Sequence, residues 1–155
     1  ITIYVNSISQ KVRKVIDYYA LQFEVELIEW PALPKLLKED PNSSTYRLSQ
    51  LLSANDCALR SNSMFVSNTD IDELLLIKNT TLLEHLHKAL RGTRNFGALK
   101  FSDTFVDIGH IESNFESLKN ITVSKGRGPP KVIYMPDRVN SVQVHFARLK
   151  KGFKT

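Results

Sequence analysis

An α/β fold, with a central and mostly parallel sheet flanked by helices, is what the sequence predicts, and three stretches predict it. The chain opens with a strand, a helix and a second strand. A strand–turn–strand segment running into acidic residues occupies the middle, and a strand followed by an amphipathic run closes the chain. At 155 residues it is expected to form one domain, 1–155, long enough to bury a core. An apolar fraction of 42% with 24% charged residues sets aside the disordered and fibrous classes.

Taken in order, the β-branched run Ile1 to Val5 is a buried strand candidate. Asn6-Ser7 offers a turn and a cap, after which Ile8, Val12, Val15, Ile16 and Tyr19 share one helical stripe. Phe23 to Trp30 alternates as a second strand, and β-α-β order implies a right-handed parallel crossover. Pro31, Pro34 and Pro41 punctuate 31–50, which reads as a loop insertion. Asp56 to Leu59 then reads as a strand, Arg60 to Ser63 as a tight turn, and Met64 to Val66 as another strand. Asn68 or Thr69 would cap a helix with Asp70, Asp72 and Glu73 in its first turn, where carboxylates suit the helix dipole. Thr81 and Glu84 form a capping box for a helix that stops near Gly92. Leu99 to Ile108 predicts a strand, and Ile111, Phe115 and Leu118 a short helix. Lys125 to Lys131 predicts a basic, flexible loop, Val132 to Asp137 a strand, and Val139 to Lys150 a helix with Val142, Phe146 and Leu149 on its apolar stripe.

The middle segment resembles the active-site region of the XPF family of structure-selective DNA nucleases. Asn55-Asp56 stands where that family has Gly-Asp, and Val66-Ser67-Asn68-Thr69 stands where it has Val-Glu-Arg-Lys. Asp70-Ile71-Asp72-Glu73-Leu74 covers the following helix start, and Val5-Asn6-Ser7 replaces the acid that usually ends the first strand. The closing strand and helix, ending Phe146-Ala147-Arg148-Leu149-Lys150, resemble the end of the same domain. The resemblance implies a restriction-nuclease-like fold with a degenerate site at Asn6, Asp56, Ser67, Asn68 and Thr69. Hydrolysis would need several hard oxygen ligands around Mg²⁺, and the motif positions supply one carboxylate. It further implies a catalytically inactive subunit of the meiotic, crossover-promoting type, nuclear, without cofactor, metal or small-molecule substrate. Such a subunit would heterodimerise with a smaller nuclease-fold partner and bind branched or junction DNA. A displaced metal site at Asp56, Asp70, Asp72 and Glu73 is the catalytic alternative, and acidic first turns also occur for dipole reasons alone.

Charge supports a polyanion-binding face. Residues 119–155 carry nine Lys or Arg and one acid, Asp137, whereas 1–118 carry a small negative excess. Arg91, Arg94, Lys125, Arg127 and Lys131 are the expected phosphate contacts, and Val142, Phe146 and Leu149 the expected partner interface. A basic scaffold for an acidic protein, with no direct DNA role, is the second reading. No apolar run reaches transmembrane length, no signal-peptide pattern opens the chain, and a start at Ile1 suggests a piece of something longer. The lone Cys57 excludes an internal disulfide and suggests a buried filler in a reducing compartment. The spacing of His85, His87, His110 and His145 makes no zinc site.

Overall fold

A computed structural model of the chain describes residues 1–35, 40–44, 49–73, 75, 77, 79–107 and 122–155. It divides into two compact units, Ile1–Arg60 and Ser61–Thr155.

The first unit holds strand β1 (Thr2–Val5), helix α1 (Gln10–Leu21), strand β2 (Glu26–Glu29), a short 3₁₀ turn at Pro41–Ser44 and helix α2 (Gln50–Arg60). The opening β-α-β order is as expected, and β1 and β2 pair in parallel with Thr2 opposite Glu26 and Val5 opposite Glu29. Ser9 caps α1, its hydroxyl accepting from the Val12 amide at 3.3 Å. Arg13 holds α1 to Asp17 at 2.8 Å and to Glu29 on β2 at 2.6 Å. Of the expected apolar stripe of α1 only Ile16 is buried, while Val12, Val15 and Tyr19 stay exposed.

Asp56 to Leu59 is not a strand. It is the last turn and a half of α2, a continuous eleven-residue helix. Leu51, Ala54 and Ala58 fall at i, i+3 and i+7, a helical spacing that four residues read alone cannot reveal. The helix places Asp56 one turn before Arg60, whose Nε donates to Asp56 Oδ2 at 2.6 Å, and the Tyr4 hydroxyl donates to the same oxygen at 2.7 Å. Tyr4 also packs edge-on against Trp30, with ring centroids 5.3 Å apart, while Asn6 Nδ2 donates to the Trp30 carbonyl. Cys57 is a free, half-buried thiol on α2.

The second unit is built on a three-stranded antiparallel sheet in the order β3 (Val66–Ser67), β5 (Thr122–Tyr134), β4 (Ala98–Asp107). Strand β5 is central, with Tyr134 opposite both Val66 and Ala98. Its C-terminal stretch Val132, Ile133 and Tyr134 is buried throughout, as is Met135 just after it. The expected basic loop at Lys125 to Lys131 is therefore part of this strand. Its Gly128 lies against the Asp103 side chain of β4. Pro129 and Pro130 sit within a register irregularity, between the paired Gly128 and Lys131, where loss of ladder donors costs least. Helix α3 (Leu82–Gly92) forms as predicted, with both hydrogen bonds of the Thr81–Glu84 capping box present and Leu86 buried. The short helix expected at Ile111 to Leu118 lies outside the described residues.

The end of the chain is a hairpin rather than a helix, made of β6 (Val139–Val142) and β7 (Ala147–Leu149). A register shift between Val139 and Ser141 inserts an extra residue, so Val139 and Val142 are both buried although three apart. The bulge thus mimics helical spacing, and the β-branched content of the run favours the strand. After β7 the chain returns beside residues 95–98: Gly97 donates to the Lys154 carbonyl and Lys154 to the Asn95 carbonyl, each at 2.7 Å. Arg138 donates to the Phe96 carbonyl and stacks over the Phe153 ring at 5.0 Å.

Gly97 leaves room for this return: a Cβ there would stand 3.0 Å from both Leu149 Cδ2 and Phe153 Cβ. Gly97→Ala is expected to cost about 1–3 kcal/mol, the usual range for overpacking, read as a lowered melting temperature. In the first unit, the Arg60 guanidinium and then the Tyr4 hydroxyl hold the Asp56 carboxyl below its usual range. A depressed carboxyl contributes stability above its unfolded value and loses it as pH falls through the folded one. Asp56→Asn should remove that part of the loss of stability on acidification below about pH 4, measured by thermal melts at neutral and acid pH; an unchanged acid dependence would refute the assignment.

Candidate functional site

Lys131 lies on the central strand and is 8% exposed. An ammonium buried there needs opposite charge, and the loop leaving β3 supplies it. Ser67 closes β3 by donating its hydroxyl to the Val132 carbonyl at 3.3 Å. The chain then turns at Asp70-Ile71-Asp72-Glu73. The Glu73 amide donates to the Asp70 carbonyl at 3.1 Å, and Glu73 Oε2 reaches back to the Asp70 amide at 2.9 Å. These reciprocal bonds make a closed turn where a helix was expected: Glu73 satisfies the amide that a helix cap would have satisfied. Glu73 Oε1 and Asp70 Oδ2 both lie 2.9 Å from Lys131 Nζ. Burial works against the ammonium, but hydrogen bonds to Asp70 and Glu73 outweigh it, so its pKa stands above the usual lysine value.

Two carboxylates thus converge on one cation, with Asp72 exposed beside them. Three acids against one ammonium leave the turn net negative by two. Two residues before Asp70, the Asn68 Nδ2 is enclosed and has no partner among the described residues. Hard carboxylate oxygens suit Mg²⁺ or Mn²⁺. Among the described residues no three acid, histidine or cysteine side chains gather to hold a metal by themselves. Mg²⁺ is commonly held by one or two carboxylates together with substrate phosphates, and that is the arrangement these residues fit.

The other expected site residues are scattered. Asp56 is engaged by Tyr4 and Arg60 in the first unit, whereas Ser67, Asn68 and Thr69 belong to the second. Asn6 is bonded to the Trp30 carbonyl. The strand–turn–strand frame of the nuclease comparison is absent, since its first strand is helix α2. Arg91 and Arg94 are exposed at the exit of α3; Lys131 is inside and paired; the side chains of Lys125 and Arg127 lie outside the described residues. Val142 is buried in the second unit, Leu149 packs against Gly97, and Phe146 is exposed. The signal that could have marked the site was in view: three carboxylates within four residues, separated by two residues from the end of a short strand.

No curated protein and no solved structure matches the chain. The model of Glycosyltransferase family 92 does, over residues 1–152. The match overturns the XPF resemblance, and with it the inactive meiotic subunit, the junction DNA and the nuclease-fold partner. The scaffold reading falls as well. Loss of the Glu-Arg-Lys motif no longer argues against catalysis, because glycosyl transfer does not use that motif's hydrolytic water. A sugar donor and an acceptor replace the expectation of no small-molecule substrate. The nucleus gives way to the secretory pathway or Golgi typical of the family, although no helix among the described residues is long and apolar enough to cross a membrane. With all but its last three residues matched, the chain belongs to glycosyltransferase family 92.

Proposed function

We propose that this chain carries the donor-binding part of a glycosyltransferase, and that the turn Asp70–Glu73 is where the phosphate leaving group of an activated sugar is held. The observation that carries the proposal is the convergence of Asp70 Oδ2 and Glu73 Oε1 on one cationic point, 2.9 Å from each.

Transfer breaks the bond between the anomeric carbon and the donor's leaving oxygen and forms one to an acceptor hydroxyl, whose proton must be taken up. Negative charge grows on the departing phosphate. A turn that is itself net negative by two repels that phosphate unless a divalent cation lies between them. Asp70 and Glu73 would hold the ion, with Asp72 within the same turn, and when bound it supplies charge neutralisation to the leaving group. Glu73 is fixed by its second oxygen on the Asp70 amide, so the turn's shape does not depend on what its other oxygen binds. The enclosed Asn68 amide offers a donor that a phosphate oxygen would satisfy. The α/β class expected from the opening β-α-β unit is kept as part of the proposal.

Incubating the purified chain with a panel of nucleoside-diphosphate sugars and Mn²⁺ should release nucleoside diphosphate, and chelation by EDTA should stop it. Asp70→Asn is expected to lower turnover by about 100-fold or more, the scale of losing one preorganised electrostatic contact to the transition state. Full turnover in Asp70→Asn, indifferent to EDTA, would refute this site.

A further inference from the structure

Lys131 is an unexpected residue for its position. On the central strand it directly precedes the buried residues Val132, Ile133 and Tyr134, at a position where an apolar side chain would pack without needing a partner. Buried ion pairs are on average no more stabilising than apolar residues of similar volume, so the fold alone supplies no reason for a lysine. Its partners supply one. The ammonium occupies the point toward which the Asp70 and Glu73 oxygens are directed, at 2.9 Å from both. An ammonium and a divalent ion therefore compete for the same two oxygens.

We propose that Lys131 is the resident counter-ion of the donor site: its ammonium neutralises Asp70 and Glu73 until a divalent ion arrives with the donor's phosphates, and then transfers to the phosphate. The proposal rests on the reading of the Asp70–Glu73 turn given above. Two features make the exchange feasible. The turn is closed by its own backbone and by Glu73 Oε2, so the turn and the Glu73 carboxylate keep their places when the ammonium leaves. A lysine is a compact charge on a flexible four-carbon stem, able to change partners without moving its strand.

The consequence is coupling. A divalent ion alone must displace the ammonium and leave it buried without a partner, which is unfavourable. With a diphosphate present the ammonium gains a new acceptor. Metal and diphosphate therefore bind weakly apart and tightly together, and each tightens the other by the same factor. Lys131 is a positioning residue in this scheme, acting through the two carboxylates.

Calorimetric titration of the whole chain with Mn²⁺, alone and with inorganic pyrophosphate, tests it without any assay of turnover. The wild type should bind Mn²⁺ alone weakly and, after correction for the solution complex, about tenfold or more tightly with pyrophosphate. Lys131→Met should bind Mn²⁺ alone about tenfold or more tightly than the wild type and lose most of the coupling. Lys131→Gln serves the same comparison if Lys131→Met does not fold. Equal metal affinity in wild type and a folded Lys131 variant would overturn the proposal, as would absence of coupling in the wild type. Asp70→Asn separates the two readings: if it binds Mn²⁺ as the wild type does, the donor site itself is misplaced, whereas loss of binding there with no effect at Lys131 removes only the counter-ion.

Discussion

An ammonium in the interior of a sheet cannot remain charged without opposite charge close by, and much of the second unit answers that constraint. Lys131 lies on β5 opposite Phe101 of β4, two residues before the part of the strand that β3 also pairs, and its side chain is buried. Removing one partner of a buried pair typically costs about 3–5 kcal/mol; here the Asp70 side chain is half exposed, so water screens part of that. The two acceptors come from the turn that the chain makes after Ser67. The turn at Asp70–Glu73 is closed by Glu73 Oε2 on the Asp70 amide, which leaves Oε1 facing Lys131. An acidic turn at the end of a strand is thus both a packing solution and a cation-binding geometry.

Parts of this architecture were legible from local chemistry. Thr81 and Glu84 announce α3 because both halves of a capping box lie within four residues, and both bonds form. The β1–α1–β2 unit and β4 follow from runs long enough for their period to show. Elements whose signal depends on distant residues were not legible. Asp56 to Leu59 looks like a strand until Leu51 and Ala54 are counted with it, and Val139 to Lys150 looks like a helix because a bulge converts a spacing of two into three. Lys125 to Lys131 reads as a loop from its glycines, prolines and charge. Its strand pairing with β4 is a long-range fact that composition does not carry.

The site was half legible. Asp70, Asp72 and Glu73 form a visible cluster, but an acidic first turn explains such a cluster equally well, and only the convergence of Asp70 and Glu73 on Lys131 separates the two. Lys131 was noticed for its charge and assigned to the surface. Its position in the sheet reverses that assignment, since a lysine beginning a run of four buried residues faces inward constraints that charge counting ignores. The nuclease comparison failed for the same reason. It matched the order of polar positions along the chain, and order survives even when the first of the two strands is in fact a helix.

The basic excess of residues 119–155 suggested a polyanion, yet its Lys131 is paired with two carboxylates. A surface for nucleic acid and a site for a sugar donor both need positive charge, but they differ in how acids are used. A nucleic-acid face excludes carboxylates, because each one repels the phosphates around it. A donor site that works through a divalent ion requires them, gathered at one point and otherwise neutralised. The turn at Asp70–Glu73, with its lysine in place, violates the first and has the form that the proposed donor site requires. That contrast, more than net charge, distinguishes a protein that grips a phosphate backbone from one that releases a phosphate leaving group.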